Sequence, residues 1–385
     1  MDRFRRVNFH RKRVFPYYLG IGLALGCSRI KESRRKVRST EWYDRTVLND
    51  FRDEDWYENF RMKRENFFKI CAKLENALAP APKTVEEPLD VTKKVAIAIY
   101  WLASSAEYRT IANLFGVAKS TVYECVHQVC EAIMEHLLEE YVCFPEGDRL
   151  KKVIKGYEEK WGFPNCGGAI DGTHIPIIAP KHSHGDNLNR KGFYSLILQG
   201  VCDHSYVFTD INIGWPGRVH DARVFANSEI YLKGDNDSLF PEWRKPVGEN
   251  TMPVVLLGDP AYPLKTWLLK PYTNRSTLTN TQFNFNHRLS RARMTIENSF
   301  GHLKGRWRCL QKRLDVEVEF ACTVIGACVV LHNFCELEKE DYIWDTYSDD
   351  TDDEDDDTQD GDVEVIRCAK ALRDDIAAAF ANNNL

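Results

Sequence analysis

Apolar residues recur every three or four positions through the first part of this 385-residue chain. The clearest runs cover residues 53–78 and 91–102, and such spacing is typical of helices that bury one face. A short segment with three prolines, residues 79–88, separates the two runs and ends the first. We therefore predict an all-helical region over residues 41–150.

Within this helical region, residues 108–127 carry a pattern with a functional implication. The segment YRTIANLFGVAKSTVY has apolar residues at helical spacing up to Phe115, and Gly116 then allows a tight turn. Ser120 or Thr121 is predicted to open a second helix. This is the pattern of a helix-turn-helix, whose second helix lies in the major groove of DNA, although an ordinary helical hairpin shows it too. The side chains predicted to contact DNA are Lys119, Ser120, Thr121 and Tyr123.

From residue 160 onwards, apolar runs of strand length replace the helical spacing. We predict a first strand, a hairpin, a helix, a fourth strand and two further helices, at residues 167–178, 194–203 with 206–215, 220–232, 253–259, 290–303 and 320–338. An RNase H-like mixed sheet requires elements in this order. The predicted fold class is therefore α/β, with an RNase H-like mixed-sheet domain over residues 160–338 preceded by the all-helical helix-turn-helix region.

Charge changes the picture at both ends of the chain, although the net charge is only -5. Residues 1–40 hold twelve Lys and Arg against two acidic residues, and residues 345–364 hold twelve acidic residues and no base. We predict a basic N-terminal arm over residues 1–40 and an acidic disordered tail over residues 341–362, an arrangement found in proteins that handle nucleic acid. Residues 363–381 form an amphipathic helix, which can dock on a partner or on the body of the protein.

Twelve cysteines are scattered singly, without a CxxC pair. This usage is typical of reduced thiols inside the cell, and we predict a nuclear protein, with the cytoplasm as the alternative. One loose group has spacings that match no common zinc pattern, and its surroundings resemble a buried helix, so no zinc is predicted there. The residues of that group are Cys322, Cys328, His332 and Cys335.

The apolar run at residues 16–27 superficially resembles a secretory signal or a lipoprotein-type start. Glycines interrupt the run, and it is too short to cross a bilayer. We therefore predict neither secretion nor a membrane-spanning segment.

Two aspartates stand where a charge is costly unless it has a partner. Asp171 lies within or at the end of the apolar strand GGAIDGTHIPII, and Asp259 ends the run VVLLGD. Glu297 lies in a helix dense with bases, where a structural salt bridge is the simpler interpretation of that residue alone. The basic side chains of this helix that are predicted to contact DNA are Arg291, Arg293, Lys304 and Arg306.

Together the three carboxylates have a chemical logic. Cleavage of a phosphodiester needs two hard cations about 3.5–4 Å apart, one beside the attacking oxygen and one beside the leaving oxygen. Mg²⁺ and Mn²⁺ prefer oxygen ligands and keep several waters, so two Asp and one Glu suffice.

Four ordered blocks resemble PIF/Harbinger-type DDE transposases and the nuclease-like host proteins derived from them. The blocks are GGAIDGTHIPI, PGRVHDARVFANSEI, LLGDPAYPL and RMTIENSFGHLKGRWRCL, and the similarity extends upstream to cover roughly residues 50–338. The resemblance implies an RNase H-like endonuclease in which Asp171, Asp259 and Glu297 are catalytic and bind Mg²⁺ or Mn²⁺. Pro260 departs from the family, which more often has a small residue there.

The resemblance also implies that Asp221 is a further metal ligand. The position of Asp221, directly after His220 in an apolar-periodic segment, is equally that of a helix cap, so both roles stay open. His174 is expected to pack or hydrogen-bond beside the site rather than to bind metal.

We therefore predict a metal-dependent endonuclease with DNA as its substrate, in which water or a DNA 3′-hydroxyl is the nucleophile and strand transfer is a further possible reaction. The alternative is a domesticated, catalytically silent DNA-binding or adaptor protein. The family's association with a separate Myb/SANT-like DNA-binding protein implies such a partner, and a homodimer is also expected.

Overall fold

The computed structural model describes residues 38–79, 88–180, 184–247, 250–273, 278–340 and 363–381. The acidic tail predicted over residues 341–362 and nearly all of the basic arm lie outside the described residues. The helical half opens with a π-helix, Trp42–Asp50, and a second π-helix, Tyr157–Trp161, leads into the sheet. Between them lie α1 (Asp53–Phe60), α2 (Arg64–Leu78), α3 (Val91–Ser104), α4 (Tyr108–Phe115), α5 (Lys119–His136), α6 (Leu138–Tyr141) and α7 (Gly147–Gly156).

The single helix predicted over residues 53–78 is in fact two helices. Arg61 adopts a left-handed backbone conformation, with a φ of 59°, and ends α1. Apolar periodicity does not reveal this break, because Phe60, Met62 and Phe67 are all buried in the same core on both sides of it.

The region after residue 165 contains both strands and helices. In chain order they are β1 (Cys166–Pro176), α8 (His184–Asn187), β2 (Ser195–Cys202), β3 (Phe208–Pro216), α9 (Asp221–Ala226), α10 (Glu229–Asp235), β4 (Arg244–Val247), β5 (Asn250–Pro253), β6 (Val255–Leu257), β7 (Leu268–Leu269), α11 (Asn280–Arg306), α12 (Val318–Leu337) and α13 (Val363–Ala381). The predicted helix over residues 220–232 is divided, because Ser228 caps α10 by accepting a hydrogen bond from the Tyr231 N–H.

The main sheet is mixed, as predicted. Its strand order is β3-β2-β1-β6-β7, in which β3 and β2, and β2 and β1, pair antiparallel, whereas β1 and β6, and β6 and β7, pair parallel. Strand β7 was not predicted, because a two-residue strand leaves no periodicity to detect. Strands β4 and β5 form a separate hairpin.

Helix α12 joins the helical half to the sheet. It packs against α5 on one side and β3 on the other, and one hydrophobic core runs from Tyr43 in the helical half to Cys335 in α12. Among the described helices α12 is the one long and apolar enough to cross a membrane, yet 83% of its most apolar stretch is buried inside the protein. The buried helix predicted around Cys328 and His332 is therefore confirmed.

The C-terminal helix α13 docks on the body of the protein. Phe380 packs against Phe163 and Phe285, and the Tyr272 hydroxyl donates to Asp374 at 2.5 Å. The guanidinium of Arg373 stacks over the Tyr272 ring, with 3.8 Å between Cζ and the ring centroid. Of the two roles open from sequence, docking on the body is the one observed.

We expect Phe380→Ala to lower the free energy of unfolding by about 3 kcal/mol, because it empties a buried aromatic site. Phe283→Ala is the matched control, since that ring is 67% exposed and its loss should change stability by no more than about 0.5 kcal/mol. Urea unfolding followed by circular dichroism measures both. Equal stabilities of the two variants would contradict the docking of α13.

The buried imidazole of His332 makes the stability of this core depend on pH. Its Nε2 lies 2.9 Å from the Tyr206 carbonyl, and burial lowers the pKa of the imidazole to about 4, against an ordinary value of 6.5. The unfolded chain therefore takes up this proton first as the pH falls. The contribution of neutral His332 is complete above pH 6.5 and is lost as the pH falls towards 4, at about 1.4 kcal/mol per pH unit.

His332→Gln retains a donor for the Tyr206 carbonyl but cannot titrate. We expect its free energy of unfolding to fall less steeply than that of the wild type between pH 6.5 and 4, in urea titrations at several pH values. His287→Gln, at an exposed position, should follow the wild type. Identical pH slopes for wild type and His332→Gln would show that another group governs the acid response.

Candidate active site

The four acidic residues singled out in the sequence come from four elements that meet beside the central strand of the sheet. Asp171 lies in the middle of β1, the central strand, and Asp259 follows β6, its parallel neighbour. Adjacent parallel strands bring such side chains to the same edge of a sheet. Glu297 is on α11, which packs against β1 and β2.

Asp221 lies in the first turn of α9. Its carboxylate lies against the backbone of Gly172, the residue that follows Asp171. A Cβ atom on Gly172 would lie 2.6 Å from Asp221 Oδ1, so only glycine leaves room for this carboxylate. The Gly172 N–H donates to Asp171 Oδ1 at 2.7 Å and orients the neighbouring acid. His220 is the N-cap residue of α9 and makes no side-chain capping hydrogen bond, and Asp221 lies in the first turn of that helix.

The turn after Asp259 is held by the backbone. Asp259 Oδ1 accepts a hydrogen bond from the Ala261 N–H at 3.1 Å. Between them, Pro260 offers its carbonyl to the buried Lys270 ammonium at 3.0 Å. The proline therefore stiffens the turn and removes no carboxylate from the site.

Negative charge accumulates where these aspartates meet. Burial raises the pKa of Asp171 well above its usual range, the charges of Asp259 and Asp221 add to the rise, and Arg293 opposes it. Burial likewise raises the pKa of Asp221 to about 6, with Asp259 contributing and Arg190 opposing. The site is thus short of positive charge, which favours the binding of a cation.

Tyr262 is buried near the three aspartates and was not singled out in the sequence. Its ring is fully buried, and its hydroxyl accepts a hydrogen bond from the Gln199 amide at 3.0 Å. Burial raises the pKa of the Tyr262 hydroxyl, and the charges of all three aspartates add to the rise. The available signal was its place three residues after Asp259, in the block LLGDPAYPL.

Arg293 lies between two of the acids rather than on the surface. Its Nη1 is 3.0 Å from Asp171 Oδ2, and its Nη2 is 2.6 Å from Glu297 Oε1. Within the described residues, no three His, Cys, Asp or Glu side chains are gathered into a preformed metal site. The guanidinium lies between the carboxylates of Asp171 and Glu297, in the position that a metal cation bound to both of them would occupy.

Two predicted DNA contacts need correction. Lys304 is buried and its ammonium donates to Thr173 Oγ1 at 2.6 Å. Arg306 is 1% exposed, and its Nη1 donates to the Arg61 carbonyl at 2.9 Å. Neither side chain reaches a surface where DNA could lie, because α11 enters the core at its C-terminal end. Arg291, by contrast, is exposed.

His174 forms a hydrogen bond, and the segment 108–127 contains two helices joined by a turn. His174 Nδ1 lies 3.0 Å from Ser195 Oγ, which is the hydrogen-bonding role expected of it. Helices α4 and α5 are joined by a short turn in which Gly116 has a φ of 68°. Helix α5 begins at Lys119, one or two residues before the predicted start, and the exposed fraction of Tyr123 is 50%.

Comparison with known proteins adds the family to this geometry. Residues 170–333 match the DDE superfamily endonuclease model, a span that contains all four acids of the site, and residues 36–135 match a domain of unknown function. No solved structure matches the chain.

Relatives of similar length come from plants and animals. Protein "Antagonist of like heterochromatin protein 1" of Arabidopsis thaliana is 30% identical over 308 residues, which cover 76% of this chain and 77% of that protein. The human protein named "Putative nuclease HARBI1" is 27% identical over 305 residues, or 78% of this chain and 82% of that protein. The chain therefore belongs to the Harbinger transposase-derived nuclease family, whose DDE endonuclease domain implies an RNase H-like fold.

Proposed function

We propose that this protein is a divalent-metal-dependent DNA endonuclease whose ligands for Mg²⁺ or Mn²⁺ are Asp171, Asp221, Asp259 and Glu297. The observation that carries the proposal is the cluster of three aspartates: besides burial, the charge of Asp259 raises the pKa values of Asp171 and Asp221. Carboxylate oxygens are the ligands that these hard cations prefer, so the donor set fits the cofactor.

Bound cations would supply charge stabilisation to the attacking and leaving oxygens of a phosphodiester. The chain itself does the positioning. The Gly172 N–H orients Asp171, the Ala261 N–H orients Asp259, and Tyr262 is buried near both aspartates. Water or a DNA 3′-hydroxyl is the nucleophile, the second of which would lead to strand transfer.

DNA is proposed to lie across the exposed N-terminus of α5 as well. Lys119 and Ser120 are exposed there, Thr121 is half-buried, and Tyr123 projects beside them. This placement suits contacts to phosphates and base edges in the major groove. A Myb/SANT-like partner and a homodimer remain parts of the proposal, as does a nuclear location.

A second candidate function is a catalytically silent DNA-binding or adaptor protein. One observation favours it: the Arg293 guanidinium pairs with both Asp171 and Glu297, as in a site that no longer takes up a cation. A supercoiled-plasmid nicking assay with and without Mg²⁺ or Mn²⁺ separates the two candidates, since the silent form nicks no DNA under either condition.

In that assay we expect Asp171→Asn, Asp259→Asn and Glu297→Gln to abolish metal-dependent nicking while DNA binding persists, because each amide keeps the shape but loses the charge. Asp221→Asn should melt near the wild type yet need considerably more metal, since asparagine is a poorer ligand for Mg²⁺. Asp148→Asn, an exposed acid on α7, is the control and should nick like the wild type. Near-normal nicking by any of the triad variants would remove that residue from the site.

For the helix-turn-helix, we expect the triple variant Lys119→Ala, Ser120→Ala and Thr121→Ala to bind DNA more weakly. The salt dependence of log K should become shallower by about one unit for each phosphate that the variant no longer touches. Gln128→Ala, exposed later on α5, serves as the matched control. Fluorescence anisotropy across a salt series measures both quantities, and unchanged affinity with an unchanged slope would move DNA binding elsewhere or to the partner.

A further inference from the structure

Arg293 and Glu297 stand one helical turn apart on α11, and Asp171 faces them from β1. The guanidinium uses one nitrogen for each acid, with N–O distances of 3.0 Å to Asp171 and 2.6 Å to Glu297. The side chains of Arg293 and Asp171 are 12% and 11% exposed, which strengthens their attraction compared with a surface pair. One side chain thus ties together two acids from two different elements.

The pairing engages the oxygen atoms that a cation would need. Asp171 Oδ1 already accepts from the Gly172 N–H, and its Oδ2 is the atom that faces Arg293. A guanidinium and a divalent cation cannot occupy the same space between Asp171 and Glu297. Cation binding on this side of the site therefore competes with Arg293, whereas Asp221 lies outside that pairing.

The pairing is open to solvent on one side only. Glu297 is 35% exposed, in contrast to Asp171. A DNA phosphate arriving from the Glu297 side meets a guanidinium whose planar fork matches phosphate oxygens as well as it matches carboxylates. The same side chain therefore has two alternative anionic partners within reach.

We propose that Arg293 is a positioning residue that takes the place of a cation between Asp171 and Glu297 in the DNA-free protein and transfers to a phosphate when DNA binds. The Asp171–Glu297 side of the site then accepts its cation only with substrate present, while the side formed by Asp221 and Asp259 accepts one without it. This inference rests on the proposed nuclease function. It adds the order in which the two cations and the DNA bind.

The test is Mn²⁺ binding to the full chain, followed by electron paramagnetic resonance and calorimetry, with and without a short DNA duplex. In Arg293→Gln the weaker of the two Mn²⁺ sites should tighten about tenfold without DNA, because the competing charge-assisted hydrogen bonds are gone. DNA should tighten that site in the wild type and leave it nearly unchanged in Arg293→Gln. Arg367→Gln, at an exposed arginine on α13, should bind Mn²⁺ and respond to DNA like the wild type.

Arg293→Lys is a second variant that keeps the test decisive if Arg293→Gln does not fold. A lysine retains the charge but lacks the fork that holds two carboxylates, so its second Mn²⁺ site should be intermediate in affinity. Equal or weaker Mn²⁺ binding in both Arg293 variants, or the same DNA effect in all proteins, would overturn the inference alone. Absence of Mn²⁺ binding to every protein, with and without DNA, would overturn the proposed function together with it.

Discussion

The concentration of negative charge beside the central strand is the constraint on which the rest of the structure depends. Bringing Asp171, Asp221 and Asp259 together is unfavourable, and the raised pKa values of Asp171 and Asp221 record that cost. The surrounding features reduce it. Backbone N–H groups point at individual oxygens, and the Arg293 guanidinium supplies positive charge. The pKa values of Asp171 and Asp221 nevertheless stay raised, so these features compensate the negative charge only in part.

Much of this site could be predicted from the sequence because the acids interrupt apolar strands. A charge within GGAIDGTHIPII or at the end of VVLLGD needs a partner, and the parallel pairing of β1 and β6 brings Asp171 and Asp259 to one edge. The mixed sheet followed from the order of strand-length and helix-length segments. Family resemblance added Asp221, whose short helix gives little signal of its own.

The bases of α11 show where sequence reasoning stops. A helix of 27 residues with many Lys and Arg looks like a surface that binds phosphate, yet Lys304 and Arg306 are buried. Their burial depends on partners distant in sequence, such as Thr173 on β1 and the backbone of Arg61 after α1. Arg293 likewise depends on Asp171, 122 residues away. Helical periodicity records the face that a residue lies on, but not which other element covers that face.

The continuous core through α12 has a consequence for the spacing between DNA contacts under the proposed function. Helix α5 and strand β3, which belongs to the same sheet as the strands that carry the acids, both pack on α12. Under the proposed function, the base pairs contacted by α5 and the bond cut at the acids would therefore be separated by a fixed length and a fixed rotation of the duplex. Inserting half a helical turn of DNA between the contacted base pairs and the bond to be cut would place that bond on the far side of the duplex. No side-chain movement could then bring the acids to it.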